Sequence, residues 1–405
     1  MAGARFRPLG GVTVLDWTEG VAGPYACQVL GDLGADVIKI ERPQGDWGRS
    51  MGGGSPLGGH NFRALNRNRR NVCLDLRRDE ARGVAWRLVE KAGVMVSSYR
   101  PGVVERLGFG YEDVHARASH LVYARISAYG ASGPLARRPG SDTIMQAVSG
   151  LMSLIGEPEE DPQRVGVPVV DFLAGRDAVI GVLAALLAAA GGGSVPGPVD
   201  VSLFGSAASL QSQVWQRFLD AGIVQRRTGR RTAGIAPAGL YRTKDGRHVA
   251  VAVLRDEHFA RLCAALDAPE LLEDARFATN DDRLRYREEL EALLAPRFAA
   301  RDFDEWTCVL LEHDVLAAPV TDVSDIAADP ALMAAVPLVR LPDGPLGVAG
   351  PAIGLPIRFG DASPDGAVPP VPRGQHTREV LAWAGYGPRE IDELVRGGAV
   401  QEPPP

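Results

Sequence analysis

The chain has 405 residues, 23% of them charged, with a formal net charge of −6. That length allows a sizeable core and two domains. The mild acidity and the lack of any long basic run argue against a nucleic-acid partner. Cys27, Cys73, Cys263 and Cys308 stand far apart, with no Cys-x-x-Cys or Cys/His grouping. No structural zinc or other metal site is therefore expected, and a reducing, cytoplasmic setting suits the chain.

The N-terminal residues lack the basic-plus-apolar pattern of a secretory signal. Val12–Leu15 predicts a short strand ending at Asp16. The loop Glu19–Gly23 leads to Pro24, which suits a helix start because it has no N–H to leave unsatisfied. That helix should run to Leu33 and stop at Gly34. Asp36–Ile40, closing at Glu41, is the next strand, so the opening is a βαβ unit with a parallel sheet. Arg67-Asn68-Arg69-Arg70 is the densest positive patch; it suits either a small polyanion such as a phosphorylated cofactor or a solvated turn. Strands are expected at Val94–Val96 and Leu121–Ile126, with a helix over Glu80–Ala92. The longest apolar run, Ala178–Ala190, is too short to span a bilayer and reads as a buried helix, so no membrane partner is expected.

After Gly191-Gly192-Gly193 the texture changes. A turn at Ser194–Pro198 precedes a strand, Val199–Leu203, and a helix over Gly205–Ala221. Gln225–Gly234 is basic and loop-like. Leu240–Thr243 and His248–Val253 read as a hairpin with Asp245-Gly246 at its bend. Asp256–His313 is mostly helical, and Arg283–Phe298 is its clearest amphipathic stretch. This part reads as a second, smaller α+β domain. Val336–Phe359 predicts short strands and turns, Asp361–Arg373 a Pro-rich connector, and Thr377–Ala384 and Pro388–Arg396 two closing helices.

The most informative residue is Asp171. It lies between the apolar run Gly166–Val170, which looks strand-like, and an apolar helix. A carboxylate there is either a helix cap, worth about 1 kcal/mol, or a reactive group. A helix N-terminus would favour its ionised form by ~0.3–1 kcal/mol.

Several segments together resemble one family. They are Pro8–Asp16 (PLGGVTVLD), Ala22–Pro24 with Leu30–Glu41 (LGDLGADVIKIE), Asn66–Leu76 (NRNRRNVCLDL) and Tyr99–Gly108 (YRPGVVERLG). Arg138–Asp142 (RPGSD), Gln146–Gly150 (QAVSG) and Gly374–Leu381 (GQHTREVL) complete the set. This pattern is similar to the class III CoA-transferases of the CaiB/BaiF type, which include formyl-CoA and carnitine CoA-transferases and 2-methylacyl-CoA racemase.

The resemblance implies an α/β fold with a Rossmann-like large domain built from both chain ends (residues 1–220 and 329–405). A small α+β domain (221–328) is inserted between them, and two chains interlock as a homodimer. It implies Asp171 as a nucleophile that takes CoA from an acyl-CoA and passes it to a carboxylic acid. For CoA itself it implies Gly20 and Val21 in the first βα loop, Arg42 after the second strand, and Leu74, Asp75, Leu76 and Arg77 beside the adenine and phosphates. It adds Ser98, Tyr99 and Arg100 after a later strand, with Arg106 and Arg138 as further contacts. Ser141, Gln146 and the 229–237 loop are implied near the substrate. That loop is less glycine-rich than the lid of many relatives.

Three rival readings stand beside this one. A racemase needs two opposed acid/base groups, and racemases of the family carry His where this chain has Ser141. A dinucleotide-dependent oxidoreductase fits the βαβ opening and Glu41, but Glu19–Gly23 lacks the GxGxxG cradle. A non-catalytic CoA-binding protein would keep the arginines without the chemistry of Asp171.

Overall fold

The computed structural model describes residues 6–52, 59–194, 197–344, 349–360 and 368–403. Strands and helices alternate through the first part: β1 (Thr13–Trp17), α1 (Ala22–Asp32), β2 (Asp36–Glu41), β3 (Arg69–Leu74), α2 (Asp79–Lys91), β4 (Val94–Ser97) and β5 (Val122–Ser127). α3 (Asp142–Val148), α4 (Val169–Ala190) and β6 (Val199–Ser202) follow. The strands form one sheet in the order β3-β2-β1-β4-β5-β6, all parallel. A closing strand, Val400–Gln401, pairs antiparallel with β3. The chain winds outward in opposite directions from β1 and β4, so a crevice opens beyond their carboxyl ends.

Parallel strands are covered on both faces and read as near-continuous apolar runs. Val14, Leu15, Ile38, Val94, Met95 and Val96 are accordingly buried. α2 buries Val84, Leu88 and Val89 in the same cluster as Leu15, Ile38 and Leu74, and Val380, Leu381 and Ile391 join it from the far end of the chain.

The chain divides into two compact units. One takes Met1–Leu151, Arg164–Ile223 and Val336–Pro405; the other takes Met152–Gln163 and Val224–Ala335. The second unit carries an antiparallel sheet of Ala238–Arg242, His248–Ala252 and Ala317–Pro319. Its core holds Phe259, Leu262, Phe277, Leu294, Phe298 and Trp306.

Several expectations from the sequence are corrected. β3 is a strand that its arginines disguised. Arg69 reaches Asp16 in a buried ion pair, Arg67 meets Asp32 at 2.5 Å, and Arg70 meets Asp36 at 2.5 Å. Arg67 and Arg69 are therefore committed to buried carboxylates, and Arg70 pairs with Asp36 nearer the surface. The Gly166–Val170 run forms no strand, because α4 already begins at Val169. At 22 residues α4 is long and apolar enough, by length and composition, to cross a membrane, against the shorter reading of Ala178–Ala190. It packs on α1, β5 and β6. The helix expected over Gly205–Ala221 breaks at Gln211 into Leu203–Leu210 and Ser212–Ala221. Arg283–Phe298 likewise divides at Tyr286 into Asn280–Arg285 and Arg287–Phe298. Most of the expected connector, 361–367, lies outside the described residues.

Candidate functional site

Asp171 sits in the first turn of α4, and it is not the cap. Pro168 occupies the N-cap position and has no side chain able to accept. Asp142, at the start of α3, supplies the acceptor from a different helix. Its Oδ1 takes the N–H of Val170 at 2.8 Å and that of Asp171 at 3.4 Å. Its Oδ2 takes an N–H of Gln146 at 2.6 Å, and Gln146 Oε1 accepts the N–H of Val165 at 2.9 Å. The orphan donors of the helix start are thus partly satisfied without Asp171. Among the described residues the Asp171 carboxylate has no hydrogen-bond partner.

That arrangement is electrostatically costly for an anion. Burial first, and the nearby Asp142 carboxylate second, push the Asp171 pKa up from 3.8 to about 7. The helix terminus was expected to act in the opposite direction, by under ~1 kcal/mol. A rise of about three units is worth about 4 kcal/mol at 1.36 kcal/mol per unit, so desolvation and like charge win.

α4 is held close to the first βα loop by its own sequence. A Cβ on Gly175 would lie 2.7 Å from the carbonyl oxygen of Ala22, so only glycine allows this approach to α1. Phe172 meets Tyr25 edge-on with ring centroids 4.6 Å apart, and Arg176 Nε donates to the Tyr25 hydroxyl at 3.1 Å. One turn before Gly175, Asp171 consequently faces the residues that follow β1.

A cavity of about 360 Å³ lies there, beyond the carboxyl ends of β1 and β4. Val21, Ser98, Tyr99, Arg100, Arg138, Ser141 and Asp171 line it. Ser98 bridges the two loops, its Oγ accepting the Glu19 N–H at 3.0 Å. Gly20 lies just behind, its N–H donated to Asp46 Oδ1 at 3.0 Å. The Arg100 and Arg138 guanidinium groups have no ion-pair or hydrogen-bond partner among the described residues, and their positive charge is open to a ligand.

Other expected residues lie elsewhere. Arg42 does not line the cavity; it pairs with Glu19 at 3.1 Å. Leu74 is fully buried in the core, so its side chain cannot touch a ligand. Asp75 and Arg77 pair with each other at 2.7 Å beyond the end of β3, and Leu76 packs on the core. Arg106 is exposed on the short helix Val103–Arg106. Gln146 is buried and hydrogen-bonded to Asp142 and Val165; it supports the site from behind and does not line the cavity. The 229–237 loop belongs to the second unit, where a larger cavity of about 980 Å³ is lined by Arg230 and Arg231. Those arginines face Glu157 and Glu288.

Three residues escaped sequence reasoning. Glu19 lines the cavity, takes the Tyr99 hydroxyl at 3.1 Å, and has its pKa raised chiefly by burial. Trp47 lines it from the loop after β2. Asp142 was visible only as a member of a motif; its capping of a second helix is a tertiary fact with no local signal.

Residues 9–377 match the family model described as CoA-transferase family III. Succinyl-CoA:glutarate CoA-transferase from Mus musculus is 32% identical over 98% of this chain and 91% of its own length. Succinyl-CoA–D-citramalate CoA-transferase from Chloroflexus aurantiacus is 32% identical over 93% of each. Among solved structures, a CAIB/BAIF family protein from Brucella suis superposes with a TM-score of 0.82 at 32% identity, covering 94% of this chain and 100% of that one.

Proposed function

We propose a covalent route, on Asp171, for a chain that belongs to CoA-transferase family III and is an enzyme transferring CoA. The observation that carries it is the carboxylate itself. Asp171 is poorly solvated, relieved of capping by Asp142, and open to a cavity at the switch point of the sheet. A carboxylate stripped of water is a better nucleophile than a hydrated one.

Asp171 attacks the thioester carbonyl of the donor, forming a mixed anhydride and releasing CoA thiolate. The thiolate attacks the aspartyl carbonyl, giving an aspartyl-CoA thioester and the free donor acid. The acceptor carboxylate attacks that thioester, forming a second anhydride and thiolate again. The thiolate finally takes the acceptor acyl group and restores Asp171. Each step exchanges one acyl bond for another, so the thioester energy is conserved and no proton need move. The developing oxyanions require nearby neutral donors; that Ser141 lines the same cavity as Asp171 supports its hydroxyl as one of them.

CoA is the co-substrate. Val21, Ser98, Tyr99 and Arg100 offer its thiol-proximal part an aromatic face, a hydroxyl and a cation, with Gly20 shaping the loop. Arg138 lines the same cavity. Arg42, Arg77 and Arg106, with the backbone of the Leu74–Leu76 segment, lie outside that cavity and are the candidates for the phosphates and adenine. Relatives named for succinyl-CoA with glutarate or D-citramalate support short dicarboxylates as donor and acceptor. The open charges of Arg100 and Arg138 suit a second carboxylate. Ser141, in place of an imidazole, weighs against racemisation. Ile180, Leu187 and Leu219 are 65%, 76% and 69% exposed on α4 and the helix Ser212–Ala221, which supports a second copy covering them.

A screen of acyl-CoA donors against mono- and dicarboxylic acceptors, read by mass spectrometry, tests the reading. It expects exchange without free-CoA accumulation. Thioester hydrolysis or α-carbon racemisation without exchange would overturn it.

A further inference from the structure

Trp47 is a large ring left open to solvent beside the proposed nucleophile. It is 48% exposed, yet the backbone that carries it is firmly fixed. It begins a short 3-10 helix, Trp47–Ser50, whose N-cap Asp46 accepts the Gly48 N–H at 2.8 Å. The same Asp46 oxygen takes the Gly20 N–H at 3.0 Å, and its other oxygen lies 2.9 Å from Lys39 Nζ in a wholly buried ion pair. The Asp46 N–H is itself donated to Glu41 at 2.8 Å. The turn is thus bolted to β2 on one side and to the first βα loop on the other.

The ring rests on Gly20. Gly20 has φ +83°, and a Cβ there would overlap the six-membered ring of Trp47. The glycine therefore serves two ends: a left-handed turn and a seat for the indole. The remaining apolar lining near Asp171 is small or aliphatic, including Val21, Ala128 and Leu203. The other aromatic ring, Tyr99, is held through its hydroxyl to Glu19.

We infer that Trp47 is a specificity-determining wall, which packs against the acyl end of the thioester and limits acyl length. This rests on the reading that the Asp171 cavity receives the thioester. A ring fixed at its root, with one edge against the Gly20 backbone and about half its surface bare, contributes area and shape to a ligand. Contact with an apolar pocket distinguishes ligands by roughly 10–200-fold per methylene-sized difference, so removing the ring should be felt chiefly in selectivity.

The test measures equilibrium binding of butanoyl and octanoyl thioether analogues of acyl-CoA, which cannot react, to the parent, Trp47→Ala and Trp47→Phe proteins. The inference expects the affinity ratio of octanoyl to butanoyl to rise by about tenfold or more in Trp47→Ala, with Trp47→Phe staying near the parent. A ratio unchanged in Trp47→Ala would overturn it, even if both affinities fell together. Should Trp47→Ala fail to fold, Trp47→Leu carries the same comparison. Covalent labelling of Asp171 by a reactive acyl-CoA is followed separately in the parent. Its absence would sink the nucleophile reading while leaving the selectivity result interpretable.

Discussion

Replacing Asp171 with asparagine should abolish CoA transfer and at the same time stabilise the protein, increasingly so as pH rises. Asparagine keeps the shape and removes the charge. The folded pKa of about 7 lies above the ordinary 3.8, so the native state holds this proton to higher pH than the unfolded chain does. The group costs no stability below about pH 4; the cost builds between 4 and 7 and is constant above. Three units correspond to about 4 kcal/mol, and water reaching the half-buried carboxylate reduces that to on the order of 2–4 kcal/mol. Urea unfolding followed by tryptophan fluorescence at pH 5 and pH 8.5 measures it. The stability gain of Asp171→Asn over the parent should already be roughly a third to two thirds of its final size at pH 5 and reach that figure at pH 8.5. A difference independent of pH would refute the electrostatic account. Undiminished transfer by the variant would refute the chemical one.

Further outcomes follow from the same geometry. The acidic limb of kcat/KM should fall with unit slope and an apparent pKa near 7, because the free enzyme must ionise Asp171 to react; a profile flat between pH 5.5 and 8 contradicts this. Asp142→Asn keeps an oxygen for the Val170 N–H while deleting the like charge, so that limb should move to lower pH. An unmoved limb would leave Asp142 a purely structural role. Gly175→Ala forces a Cβ against the Ala22 carbonyl and should lose about 1–3 kcal/mol of stability; thermal unfolding unchanged from the parent would mean that α1 and α4 do not approach as described.

The alternating pattern from Thr13 to Ser127 was largely legible because the parallel strands are buried on both faces, α1 is marked by Pro24 and Gly34, and α2 shows one apolar side. β3 was not, since Arg67, Arg69 and Arg70 look solvated until Asp32, Asp16 and Asp36 are seen opposite them. Those carboxylates lie some thirty or more residues away, beyond the reach of any local window. Asp171 stood out as a carboxylate before an apolar helix. What freed it from capping was the Asp142 side chain arriving from another helix, and no helix-start rule encodes that. The arginines were ranked by motif position alone. Tertiary pairing decided between them: Arg42 is engaged by Glu19, while Arg100 and Arg138 are left open at the cavity.

The most direct measurement is the fate of Asp171 during turnover. The protein is incubated with an acyl-CoA donor, quenched with hydroxylamine, digested with trypsin, and the peptide from Val165 to Arg176 is sequenced by mass spectrometry. Covalent capture should place a hydroxamate on Asp171 and nowhere else in that peptide, and acceptor acid added before the quench should erase it. Sustained CoA exchange with that peptide unmodified throughout would contradict the account.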